Sequence, residues 1–249
     1  MRFSLRSVFM LALSLAVAAA GHAQKPLPSG TILPVSLDTS MNTARLHAGQ
    51  PIRATVMQNV PGTPVRRGSR VYGQILQVDA PHGGPVRLVF TFDSVQPHRS
   101  KQRIPLKASL RAVASFNEVE DAQVPTEMAS RGLNPENWTT QQIGGEMVYR
   151  GGGPVARGDV TVGKPTPYGV LVLPRVQHGQ PCRGVIGQNR KPQALWLFSS
   201  DACGVFGLES VRLQHAGRTQ PDGEFVLISP KGRIELGSGT GMLLRVLGS

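Results

Sequence analysis

The sequence predicts a mainly β protein, an antiparallel barrel or sandwich with a long loop-rich insertion. Three observations carry that expectation. Apolar residues alternate with polar ones in short runs. Turn-forming glycine and proline separate these runs at roughly 15- to 20-residue intervals. The chain of 249 residues holds 29 glycines and 20 prolines, above ordinary usage and without a collagen-like period.

The first segment stands apart. Arg2 and Arg6 precede the apolar run Val8 to Ala20, and Gly21-His22-Ala23 places small residues at both cleavage-recognition positions. This is the pattern of a secretory signal peptide over residues 1–23. Thirteen residues at 1.5 Å rise reach about 20 Å, short of the ~30 Å hydrocarbon core. A cleaved leader is therefore expected, with a mature chain from about Gln24 in the periplasm or outside the cell. No cysteine near the cleavage site is available for acylation, and no later run is long enough to span a membrane as a helix.

From Leu27 to Val95 the alternating runs are Gly30–Leu37, Pro51–Met57, Ser69–Val78 and Val86–Val95, with a further strand expected over Ile104–Val113. Together they make residues 24–115 an N-terminal β-meander. Residues 116–162 read as a Gly-rich and acidic linker or insertion, because Phe116 to Gln142 holds Glu118, Glu120, Asp121, Glu127 and Glu136 and is interrupted by Pro125 and Pro135. Gly151-Gly152-Gly153 lacks the lysine, hydroxyl residue and following helix of a phosphate loop. Residues 163–249 return to short runs, at Gly169–Leu173, Ala194–Ser199, Val211–Gln214, Glu224–Ser229 and Met242–Leu247. The last of these is a candidate to close the N-terminal barrel. Gly237 to Gly241 has neither the spacing of a dinucleotide fingerprint nor a helix after it, and reads as a bend.

Several of these segments together resemble the C-terminal β-barrel of the TrbI/VirB10 family, the scaffolds of conjugation and type IV secretion. The likeness lies in Gly30-Thr31-Ile32-Leu33-Pro34-Val35-Ser36-Leu37, in Gly49 leading into Ile52 to Val56, in Arg67 to Gly73, in Arg87-Leu88-Val89-Phe90, and in a late strand opened by Gly239-Thr240. The resemblance implies one barrel completed by a strand from a distant segment, with residues 116–225 as an insertion. The chain departs from the family in its cleavable leader, its lack of a long proline-rich linker and its lack of a helical pair for an outer-membrane pore. These departures point to a stand-alone envelope protein built on the same barrel.

The chain is basic, with 27 Lys and Arg against 15 Asp and Glu. Loss of Arg2 and Arg6 with the leader leaves 25 against 15, a net charge of +10, so the mature protein keeps its charge. The basic residues look scattered, only Arg66-Arg67-Gly68-Ser69-Arg70 and Arg99-Ser100-Lys101-Gln102-Arg103 being dense. Aromatic content of 5% offers little for base stacking, so nucleic acid is not the expected partner. Anionic envelope polymers are the alternative to a solvated face.

Cys182 and Cys203 both lie in the exported part, and an oxidising compartment favours a disulfide between them. A loop of about 21 residues closed in this way stabilises by roughly 3 kcal/mol in the chain-entropy model. The competing role is a thiol nucleophile activated by His178 or His215. Around the expected bridge, Arg183, Trp196, Asp201, His215 and Arg218 form a candidate surface for sugar or anion. The alternative there is that Trp196 and Phe198 are core and the polar groups hold turns. No catalytic residue is assigned, since no GxSxG, SxxK or HExxH occurs. The mature histidines are dispersed, so no metal or other cofactor is expected. The first reading is a non-enzymatic structural or assembly module of the envelope, partnered by another envelope protein or by copies of itself through strand edges. A binding module for anionic envelope glycans is second, and an exported hydrolase of unrecognised type third.

Overall fold

The computed structural model describes residues 25–123, 139–144, 147–149, 156–157, 160–161, 163–166, 169–172, 186, 192–200 and 202–248. The leader, Cys182, Arg183 and Asp201 lie outside them. In chain order the first elements are β1 (Ile32–Leu37), β2 (Met41–Asn42), β3 (Pro51–Val56), β4 (Arg70–Asp79), β5 (Val86–Gln96), β6 (Ile104–Pro105), β7 (Ala108–Ala114) and the helix α1 (Phe116–Gln123). Next come β8 (Thr139–Gln141), β9 (Met147–Tyr149), β10 (Ala156–Arg157), β11 (Val160–Thr161), β12 (Gly163–Thr166) and β13 (Gly169–Val172). The last are β14 (Gly204–Phe206), β15 (Arg212–Leu213), a 3-10 turn (Gln214–Gly217), β16 (Glu224–Ser229), β17 (Glu235–Leu236) and β18 (Gly241–Val246).

The main sheet runs β14-β7-β18-β1-β3-β4-β5-β16-β15 and curls into a nearly closed barrel of nine strands, with β6 paired to β5. The fold is therefore a barrel and not a sandwich. All neighbours on this path are antiparallel except β14 and β7. The late strand β18 lies between β1 and β7, with Val35 opposite Met242 and Val113 also opposite Met242. The two ends of the sheet, β14 and β15, touch each other and are joined by the short segment 207–211. Within the insertion β12, β13, β9 and β8 form a separate four-stranded sheet, and β10 pairs with β11.

Period-two alternation explains what fills the barrel. Leu33, Val35 and Leu37 of β1, Ile52, Ala54 and Val56 of β3, Val86, Leu88, Phe90 and Phe92 of β5, and Met242, Leu244 and Val246 of β18 share one core. Phe90, Phe92 and Phe225 meet there edge to face, with centroids 5.2 to 6.1 Å apart. These side chains occupy the interior of the barrel.

Strand β7 is buried on both faces, which is why Ala108–Ala114 shows no alternation. The ladder shifts between Leu243 and Leu244, whose partners are Ala112 and Leu110, so Arg111 is the extra residue of a bulge. Leu110 and Val113 accordingly face the barrel core, whereas Ala112 and Ala114 face outward. Arg111 is turned toward the segment after residue 199, donating from Nε to the Ala202 carbonyl at 3.0 Å. A second apolar cluster covers this outer face, formed by Ile32, Ala112, Ala114 and Leu243 from the barrel with Val119, Ala122, Ile143, Phe198 and Phe206 above them.

The segment Ala194–Ser199, expected as a strand, is a turn. Trp196 takes φ 51°, and the Phe198 amide donates to the Leu195 carbonyl at 2.9 Å. Its apolar pattern reflects burial in two places, since Ala194 joins the barrel core and Phe198 the outer cluster. Phe198 keeps one bridge, parallel to Ile143.

Candidate functional site: a basic face on the barrel

Pairing between β4 and β5 brings together two stretches far apart in sequence. The start of β4 lies against the end of β5, with Arg70 opposite Gln96 and Tyr72 opposite Ser94. The turns before β4 and after β5 therefore meet at one end of the barrel. These turns are Arg66-Arg67-Gly68-Ser69-Arg70 and Arg99-Ser100-Lys101-Gln102-Arg103, the two dense basic stretches of the sequence.

Ser69 ties the turns to each other. It is fully buried, and its Oγ accepts the Arg66 amide at 3.0 Å and the His98 amide at 3.0 Å. Gly68, at φ 85°, turns the chain beside the His98 ring. Arg67 is fixed through its amide, which donates to Asn59 Oδ1 at 3.0 Å. On the far side Gln96 is held from two directions, accepting the Tyr72 hydroxyl at 2.8 Å and donating to the Ser100 carbonyl. Ser69→Ala removes the acceptor of two inward-facing amides, and the expected cost is about 1–3 kcal/mol. Urea unfolding measures it, and a change within error would mean that the two turns are held by other contacts.

The outer face of β3 and β4 continues the same surface. Arg53 stands opposite Tyr72 and Thr55 opposite Arg70. The Arg103 guanidinium lies 3.8 Å above the Tyr72 ring, a cation–π stack that fixes its direction. Arg53, Arg67, Arg70, Arg99, Lys101 and Arg103 are all exposed. Arg66 differs from them, because its guanidinium donates to the Thr63 carbonyl at 2.6 Å. The ion pairs among the described residues are Arg87–Asp79, Lys107–Asp222 and Arg233–Glu235, so none of these six cations is in one. Two carboxylates lie beside these cations without pairing with them. Asp38 accepts the Thr55 hydroxyl at 2.7 Å and Asp93 accepts the Ser94 hydroxyl at 2.7 Å. Diagonal neighbours on a sheet lie about 7 Å apart, and two like charges at that distance repel by about 0.6 kcal/mol in water. The barrel tolerates such repulsion, and the face carries a net positive field.

The surface expected around Trp196 is divided by the fold. Trp196 sits over Gly241 at one end of β18, edge to face with Phe198 at 6.4 Å, and its amide donates to the Gln58 side chain. It is therefore a partly buried packing residue of the outer cluster. Arg218 instead borders a hollow of about 200 Å³ with Ser109, Thr219, Asp222 and Leu247. Ser109 lies opposite Arg245 and Ala114 opposite Gly241, so Trp196 and this hollow are at opposite ends of the β7–β18 ladder. His215 lies in the 3-10 turn beside Arg218, its ring against Gln214 Nε2 at 3.1 Å. One binding surface therefore does not contain both Trp196 and Arg218. Cys203 is buried directly before β14.

No group of three or more metal-ligating side chains lies together among the described residues. None of their helices is long and apolar enough to cross a membrane. No family model matches the chain, and no curated protein matches it.

Proposed function

We propose that this chain is an exported, non-enzymatic β-barrel module of the bacterial cell envelope, located in the periplasm or outside the cell, and that it works as a structural or assembly part through its outer surface. The observation that carries this reading is the filled barrel. Phe90, Phe92 and Phe225 occupy the interior together with the aliphatic core, leaving recognition to the outside. The resemblance to TrbI/VirB10 barrels agrees with a last strand that returns to pair with the first. Assembly through strand edges is disfavoured in the main sheet, because its end strands β14 and β15 are three and two residues long and face each other. Partners are expected on the outer faces instead.

The disulfide Cys182–Cys203 belongs to the same proposal. Cys203 is buried, at 4% exposed, directly before β14. Binding of anionic envelope glycans is a second reading, favoured by the convergence of the two basic turns. Light scattering on the purified protein, with and without reductant, separates the two roles. A discrete oligomer supports the assembly role, whereas a monomer removes self-assembly and puts glycan binding in its place.

A further inference from the structure

We propose that the outer face of β3, β4 and β5 with its two adjoining turns is a binding site for an anionic glycan, held by Arg53, Arg67, Arg70, Arg99, Lys101 and Arg103; this rests on the glycan-binding reading above. Pairing of β4 with β5 and with β3 brings together the strands and turns that carry these cations, and among the described residues none of them is in an ion pair. The turns are braced before any ligand arrives, through Ser69, Gln96 and the Arg103–Tyr72 stack. Preorganised arginines lose less freedom on binding, and their planar donors fit carboxylate and phosphate groups. Gln74 is exposed on the outer face of β4 and supplies a hydrogen-bonding group that sugar hydroxyls need.

The surroundings favour a glycan over other polyanions. Base stacking needs an open aromatic face, and the Tyr72 ring is covered by Arg103. An anionic membrane surface is gripped by cations set beside apolar side chains. The exposed large hydrophobic residue among those described is Phe116, which packs beside Gly239 and not among these arginines.

The test measures binding of the purified full chain to sodium polygalacturonate across a salt series. A single-stranded thymidine oligonucleotide and phosphatidylglycerol vesicles serve as competing probes. The combined variant R53Q/R70Q/R103Q is expected to weaken polygalacturonate binding about tenfold or more, and to flatten its salt dependence. The variant R212Q/K231Q/R245Q loses the same charge at exposed positions away from this face and is expected to bind as the unaltered protein does. Equal losses in the two variants would overturn the site, since net charge alone would then explain binding. Tighter binding to the oligonucleotide or the vesicles would overturn the choice of a glycan. Absence of polygalacturonate binding by the unaltered chain would reject the glycan reading itself, an outcome distinct from binding that survives in R53Q/R70Q/R103Q. All three positions are exposed, so the fold should survive, with a fall of a few degrees in melting temperature where R103Q removes the stack on Tyr72; if the triple variant does not fold, R70Q and R103Q singly carry the same comparison.

Discussion

Gly217→Ala is expected to cost more than about 4 kcal/mol or to prevent the barrel from folding. Gly217 ends the 3-10 turn after β15, where His215, Ala216 and Gly217 all take left-handed backbone angles, at φ 50°, 50° and 77°. A methyl group added to it would lie 1.5 Å from the Leu110 carbonyl oxygen and 3.3 Å from Leu213 Cδ2. The first of these obstacles is backbone of β7, held by its ladder to β18, and it has no room to withdraw. Accommodating the methyl group means lifting the turn off β7 and opening the seam at which β15 and β16 meet the rest of the barrel. Gly232→Ala separates this contact from the conformational penalty alone. Gly232 has φ 75° with open space around it, so alanine there costs about 1 kcal/mol, the price of a left-handed angle. Urea unfolding of the two variants gives the comparison. Equal losses would mean that Gly217 is needed for its angle and not for its approach to β7.

Phe225→Ala is the second large effect, at about 3–5 kcal/mol. Phe225 pairs in register with Phe90 across β16 and β5, and its ring meets Phe90 at 5.2 Å and Phe92 at 5.9 Å. All three rings are fully buried. Truncation empties the centre of the barrel at the junction of β16 with the N-terminal meander, and backbone hydrogen bonds keep the walls from collapsing onto the gap. Phe225→Leu retains most of the volume and is expected to cost about 1.5 kcal/mol. Denaturant midpoints at an unchanged slope measure both. A Phe225→Ala loss below about 1 kcal/mol would contradict a filled and rigid interior.

Much of the barrel is legible in the sequence because its strands bury one face and expose the other. The run in Pro51–Met57 alternates as period two requires, as does Val86–Phe92 apart from the buried Val89, and the glycines at 49, 62 and 68 take the positive φ that their turns need. Alternation fails as a guide where the outer face is also covered. In β7 the bulge at Arg111 reverses which residues face inward, and in Ala194–Ser199 an apolar run serves two clusters without forming a strand. The site was harder to read for a different reason. The two basic stretches stand out in the sequence, yet as separate turns neither suggests a surface. Only the antiparallel pairing of β4 with β5 shows that the residues before one strand and after the other must be neighbours. The crowding of Trp196, His215 and Arg218 in sequence pointed the other way, because β18 holds Trp196 at one end while the Arg218 hollow lies at the other.

The most direct test of the proposed role is the intact mass of the chain in each compartment of a Gram-negative host expressing the full sequence. An exported envelope module predicts recovery from the periplasm or medium of a chain beginning near Gln24, lighter by two hydrogens than its dithiol form because Cys182 and Cys203 are joined. A chain of full length confined to the cytoplasm, with both thiols free to react, would contradict the account.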